Sequence, residues 1–298
     1  MKRVAEFGTY LLYSILWQVV RWLPEKSAYR FFDQLAESAY RRNGKRVKRL
    51  RENYRRVRPS FGDAELEMMV QAGLKNAMRY WCDTFRISDW DHKRAIRSVT
   101  YSNQELLHRG MKAGKGVIVA VPHAGNWDHA GYYYCALGYP VHTVAEHLKP
   151  ERLFRRFLQH RERMGMTVLS LNQKTIPALS NFLREGKLVA LVADRDLSRS
   201  GIEVEFFGGR AKMPVGPALL AYQTDAQLIT AYVGYRDGGI HISWRGPIEI
   251  DRGRDQESEV ARVTQEIASI FESEINDDPT SWHMQQTIFI DGEGFQQR

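Results

Sequence analysis

From Phe7 to Val20 the chain is almost wholly apolar or aromatic (FGTYLLYSILWQVV), and Arg21 with the stop Trp22-Leu23-Pro24-Glu25 ends the run. A helix of these fourteen residues reaches about 21 Å, short of the roughly 30 Å hydrocarbon core of a bilayer. The pattern predicts a helix lying in a membrane interface, with Tyr10, Tyr13 and Trp17 at headgroup level. A buried core helix is the plainer alternative, and no small-residue cleavage site follows to suggest a signal peptide. Residues 41–58 (RRNGKRVKRLRENYRRVR) read as a second helix, in which Val47, Leu50, Tyr54 and Val57 mark a narrow apolar stripe beside a wide cationic face. After the turn-like Pro59-Ser60-Phe61-Gly62, a long helix is expected to about Phe85, with Met68, Met69, Ala72, Leu74, Met78 and Trp81 packed on the core.

Near Ile96 the pattern changes to short apolar runs alternating with amphipathic stretches, which predicts an α/β fold with a mainly parallel central sheet flanked by helices. Strands are expected near 99–101, 116–121, 140–144, around Val168, at 188–193 and at 202–207, and a hairpin around Asp237-Gly238-Gly239. Helices are expected over 102–112, 126–137, 150–164, 174–184, 214–223 and about 256–275. The run Gly116–Val121 is short, β-branched and closed by Pro122, so His123 stands at the carboxyl end of a buried strand, and Asn126 can cap the following helix. That is where open α/β sheets place their chemistry.

The composition is that of an ordinary globular chain, 298 residues with 43% apolar. Its two cysteines, Cys82 and Cys135, support neither a disulfide framework nor a cysteine-based zinc site. Charge is uneven: residues 1–110 hold 22 Lys and Arg against 12 Asp and Glu, whereas 111–298 hold 21 against 23. A cationic first third points to a polyanionic partner, an anionic membrane surface or a nucleic acid. Residues 41–58 contain one aromatic, Tyr54, and no recognisable nucleic-acid module surrounds them, which favours the membrane; a solvated basic face is the bland alternative.

Asp128 lies five residues after His123 and can turn back to orient the imidazole, although a chain with nine histidines yields roughly one such spacing by chance. A second polar group, Asp194-Arg195-Asp196, follows strand 188–193 and would sit beside His123 if the two strands are neighbours. A solvated turn, with Asp196 paired to Arg195 or Arg199, is the alternative. Glu203 and Glu205 would share one face of the strand after it. No GxGxxG, Walker or GxSxG motif occurs, which removes the usual nucleotide folds and the serine-hydrolase route. The pairs His142/His147 and His123/His129 lack zincin spacing, and no metal is expected.

Read together, His123-Ala-Gly-Asn-Trp-Asp128, the ADRD and GIEVEFFG blocks, the MPVGPALLA segment and the terminal Trp282-His283-Met284 resemble the HX4D/E lipid acyltransferases. Within that group the chain looks most like the actinobacterial phosphatidylinositol mannoside acyltransferases and is also similar to the lipid A late acyltransferases. The resemblance implies a glycerol-phosphate-acyltransferase-like fold and one acyltransferase domain over 1–298. Residues 1–60 would dock on the membrane, and 61–298 would form a helical cap and the catalytic core. It implies direct transfer of an acyl chain, palmitoyl for preference, from acyl-CoA to a mannose hydroxyl of an anionic glycolipid at the cytoplasmic face of the cell membrane, without further cofactor. His123 matches the general base and Asp128 its orienting acid, with Glu203 as the preferred further carboxylate and Asp196 next. Asn126, Glu146, Arg161, Asp194, Arg195, Asp196 and His283 match positions that bind acyl-CoA or acceptor. A lipid A type acyltransferase, or a nucleic-acid or membrane adaptor with His123 incidental, is the alternative.

Overall fold

The computed structural model describes residues 2–146, 149–196 and 201–291, with side chains from residue 6 onward. His147 and Arg199 lie outside the described residues. Five helices come first: α1 (Lys2–Trp22), α2 (Glu25–Arg42), α3 (Lys45–Val57), α4 (Asp63–Arg86) and α5 (His92–Arg97). The alternating part follows as β1 (Val99–Ser102), α6 (Glu105–Lys112), β2 (Val117–Val121), α7 (Trp127–Ala136), β3 (Val141–Ala145) and α8 (Glu151–Arg163). It continues as β4 (Thr167–Ser170), α9 (Thr175–Arg184), β5 (Leu188–Val192), β6 (Ile202–Phe206), β7 (Gly209–Met213) and α10 (Gly216–Gln223), then β8 (Gln227–Arg236), β9 (Gly239–Ile248) and α11 (Gln256–Asp277).

The seven-stranded sheet has the order β1-β9-β8-β2-β5-β3-β4. Strands β8, β2, β5, β3 and β4 run parallel, while β9 is antiparallel to β8 and carries β1 parallel to itself. Both faces of β2 are covered, which is why its sequence is a continuous apolar run rather than an alternation. Ile118 and Ala120 face the layer of α3, α4, α10 and α11; Val117, Val119 and Val121 face the tyrosines of α7. The mainly parallel sheet agrees with the expectation from the alternating pattern. One strand has no counterpart in that pattern: β7 returns antiparallel to β6 through Phe207 and Gly208, both at positive φ (47° and 66°).

The N-terminal helices depart from expectation in several ways, beginning with α1, whose 21 residues extend beyond the fourteen of the apolar run. The stretch 41–58 is not one helix, because Asn43 adopts the left-handed conformation (φ 46°) and closes α2 with its N–H on the Ala39 and Tyr40 carbonyls. Asparagine tolerates this geometry, and Gly44 then starts α3 in a new direction. The apolar stripe of α3 is nonetheless as read, with Val47, Leu50, Tyr54 and Val57 all buried. Its cationic face is narrower, since Arg51 pairs with Glu67, Arg55 with Asp63, Arg56 with Asp291, and Arg58 with Asn276. Lys45, Arg46 and Lys48 stay exposed.

Trp17 is not at a membrane-facing position. It is 3% exposed, packs on Phe85, Phe157 and His160, and donates its indole N–H to the Phe85 carbonyl at 3.0 Å. The open face of α1 is formed instead by Phe7, Leu11, Leu12, Ile15, Val19 and Trp22. Met68 of α4 likewise points to solvent rather than the core. Among the described residues no helix is long and apolar enough to cross a membrane.

Candidate active site

Strands β2 and β5 pair in parallel with Val121 opposite Val192, so the residues two further on, His123 and Asp194, emerge side by side at their carboxyl ends. The Asp194 carboxylate takes the His123 ring Nδ1 at 2.5 Å on Oδ1 and the His123 backbone N–H at 3.0 Å on Oδ2. Oδ2 also accepts the indole N–H of Trp282 at 2.9 Å. Asp194 is completely buried. Burial alone would push its carboxyl up, but the adjacent imidazole charge and the hydrogen bonds from His123 and Trp282 hold it below the usual carboxylate range. An ionised partner on Nδ1 fixes the tautomer that leaves Nε2 as the lone-pair nitrogen, and the His123 side chain is 26% exposed. The dyad can therefore take a proton from a bound hydroxyl.

Asp128 does not orient His123. It lies in the first turn of α7 and points across to α4 and α8, where Arg161 donates from Nε at 2.7 Å and from Nη2 at 3.3 Å. The Tyr80 hydroxyl completes the cage at 3.1 Å. A side-on guanidinium is the stronger donor, and the imidazole Nδ1 is already taken by Asp194. Burial pulls Arg161 down, yet the charge of Asp128 holds it above its ordinary value. Arg161 is thus a half-buried cation, 19% exposed, whose guanidinium is engaged by Asp128.

The turn between His123 and α7 is tightly set. Gly125 has φ +55°, donates to the Ser281 carbonyl at 2.8 Å, and has no room for a side chain, since a Cβ would lie 2.2 Å from the Val233 carbonyl oxygen. Asn126 caps α7 as expected, accepting the His129 N–H at 2.9 Å, while its Nδ2 is buried without a partner. His283 places Nε2 3.0 Å from the Gly125 carbonyl. Burial pushes its imidazole down to about 4, against the opposing pull of that carbonyl, so it is a neutral N–H donor at neutral pH. Trp127 stacks on Tyr80 (4.4 Å between centroids) and meets the His123 ring edge-on at 5.5 Å.

The remaining sequence-derived positions divide between the site and its surroundings. Arg195 reaches Glu146, at the end of β3, with Nη2 at 3.7 Å and also contacts Gln286. Asp196 donates its backbone N–H to the Lys212 carbonyl at 2.8 Å, where the chain enters the β6–β7 hairpin. Glu203 is not beside His123: it is exposed on β6, opposite Lys212, and pairs with Arg210 at 3.2 Å. The unexpected β7 supplies Arg210, the cation with which it pairs. Tyr80 carries no signal in the sequence beyond its place on an apolar helix face, and Trp282 stands out there only through the resemblance. Among the described residues no three His, Cys, Asp or Glu side chains gather as a metal site would need.

The family described as "Bacterial lipid A biosynthesis acyltransferase" matches residues 2–289. A phosphatidylinositol mannoside acyltransferase of Mycolicibacterium smegmatis is 35% identical over 285 residues, covering 95% of this chain and 91% of the relative. A phosphatidylinositol mannoside acyltransferase of Mycobacterium tuberculosis is 35% identical over 292 residues, covering 96% and 90%. With its dyad at the strand ends and this likeness along nearly its whole length, the chain belongs to the bacterial lipid A biosynthesis acyltransferase family and is an acyltransferase.

Proposed function

We propose that the protein moves a fatty acyl chain, palmitoyl for preference, from acyl-CoA to a mannose hydroxyl of a phosphatidylinositol mannoside, with His123 as general base. The observation that carries this is the buried Asp194 on Nδ1 of a half-open imidazole. An alcohol is too weakly acidic to attack a thioester unaided, and a positioned base contributes about 10²–10⁴-fold. The acceptor hydroxyl gives its proton to Nε2 as its oxygen bonds to the thioester carbonyl carbon. The tetrahedral oxyanion then collapses, the carbon–sulfur bond breaks, and the CoA thiolate recovers the proton from the imidazolium. Backbone N–H groups at the start of α7, which follows the His123 turn, would serve as donors for the oxyanion.

The acceptor class comes from the names of the two mycobacterial relatives. Docking at the cytoplasmic face of the cell membrane is supported by the open apolar face of α1 and by exposed Lys45, Arg46 and Lys48. Each such cation near an anionic leaflet contributes on the order of 1 kcal/mol. The test is release of free CoA from palmitoyl-CoA with and without a phosphatidylinositol mannoside, comparing wild type with His123→Ala. Acceptor-stimulated release that disappears in the variant is expected. Release indifferent to acceptor, or surviving the substitution, would overturn the assignment.

A further inference from the structure

We propose, resting on the base role of His123, that Trp282 is a positioning residue for acyl transfer, its indole N–H fixing the carboxylate that orients the imidazole. Oδ1 of Asp194 is committed to the His123 ring, so the rotation of the carboxylate is set by what Oδ2 accepts. Oδ2 has two donors from two parts of the chain, the His123 backbone N–H at 3.0 Å and the Trp282 indole at 2.9 Å. Asp194 is wholly buried, so water cannot replace a lost donor.

The indole is itself held from several sides. Its backbone carbonyl accepts the Tyr54 hydroxyl at 3.1 Å, and residue 282 bridges antiparallel to Ala124, one residue after His123. Asn53 of α3, buried among apolar neighbours, donates Nδ2 to the Met284 and Gln286 carbonyls at 2.8 and 3.0 Å. Segment 281–286 is therefore a strap pinned beneath α3, and the buried edge of the basic helix serves the active site. The ring packs near Phe206 and Phe207, with no exposed surface of its own.

The other ionisable groups around the dyad are already engaged. His283 is neutral on the Gly125 carbonyl, Arg195 turns to Glu146 and Gln286, Asp128 is held by Arg161, and the Tyr54 hydroxyl is on the strap. Removing the indole N–H leaves a carboxylate with one donor fewer, which holds the imidazole proton more strongly. The base then becomes free only at higher pH.

The experiment compares Trp282→Phe with replacement of Trp282 by β-(3-benzothienyl)alanine, in which sulfur stands for N–H at nearly the same ring volume. Acceptor-dependent CoA release from palmitoyl-CoA is followed against pH, with His123→Ala as reference. For both variants kcat should fall about tenfold with KM within about twofold, and the acid limb of the profile should move up by about one pH unit. Wild-type kcat and an unmoved limb in the benzothienyl variant, while His123→Ala is inactive, would overturn the role of Trp282 and leave that of His123. An active His123→Ala would instead remove the base assignment itself.

Discussion

Arg161 holds Asp128 side-on, through Nε at 2.7 Å and Nη2 at 3.3 Å, in a place where the carboxylate is only 2% exposed. The acid of the His123/Asp128 pair is thus the buried half of an ion pair that ties α7 to α8. Asp128→Asn would leave a half-buried guanidinium without its counter-charge; since Arg161 keeps 19% of its exposure, the cost falls below the about 3–5 kcal/mol of a fully buried pair, at about 2–3 kcal/mol. Urea denaturation should show a loss of that order. A loss below about 1 kcal/mol would show that the pair does not hold the helices.

Asp194→Asn should behave in the opposite way. An amide at that position leaves Nδ1 without an ionised acceptor, so the imidazole tautomer and the developing imidazolium lose support. We expect kcat to fall by about 10²–10⁴-fold with substrate KM little changed. Activity within tenfold of wild type would be incompatible with the dyad.

Three histidines outside the dyad govern the acid stability. Burial pushes His129 down to about 3 and His160 and His283 to about 4, so all three stay neutral in the folded chain at pH values where the unfolded chain takes up a proton. The unfolded state therefore binds more protons below about pH 6.5, and stability falls as pH falls from there towards 4. At pH 5 the three together account for about 6 kcal/mol relative to pH 7. Equilibrium unfolding at the two pH values should show this slope, reduced by about a third in His129→Asn; an unchanged slope would assign it to other groups.

On α1, Leu12 and Ile15 are 67% and 54% exposed. Their replacement by Asp should leave the folded core intact and cut co-sedimentation with anionic vesicles about tenfold or more, each apolar side chain contributing about 1.5–3 kcal/mol when buried. Activity on detergent-dispersed acceptor should persist. Unaltered vesicle binding would move the docking face elsewhere.

Much of the catalytic geometry is legible in the sequence because strands buried on both faces announce themselves as unbroken apolar runs, here 117–121 and 188–192. His123 and Asp194, each just past one of these runs, are therefore visible as a pair of strand-end residues. Which acid meets the imidazole is not, since Asp128 is near in sequence and only the register of β2 on β5 decides in favour of Asp194. The position of Glu203 is hidden for a related reason: the tight turn at Phe207-Gly208 gives little sign that it starts a return strand. Trp17 shows a different limit. When nearly every position of a helix is apolar, periodicity cannot say which side packs, and the choice falls to partners on α4 and α8.

The contact of Asn53 with the Met284 carbonyl spans 231 residues of sequence, and that with Gln286 spans 233. Loop closure over such distances is slow compared with forming helices and local strand pairs. During refolding from denaturant, recovery of helical signal should therefore run ahead of the return of catalysis, with a nearly native chain waiting for its last segment to dock.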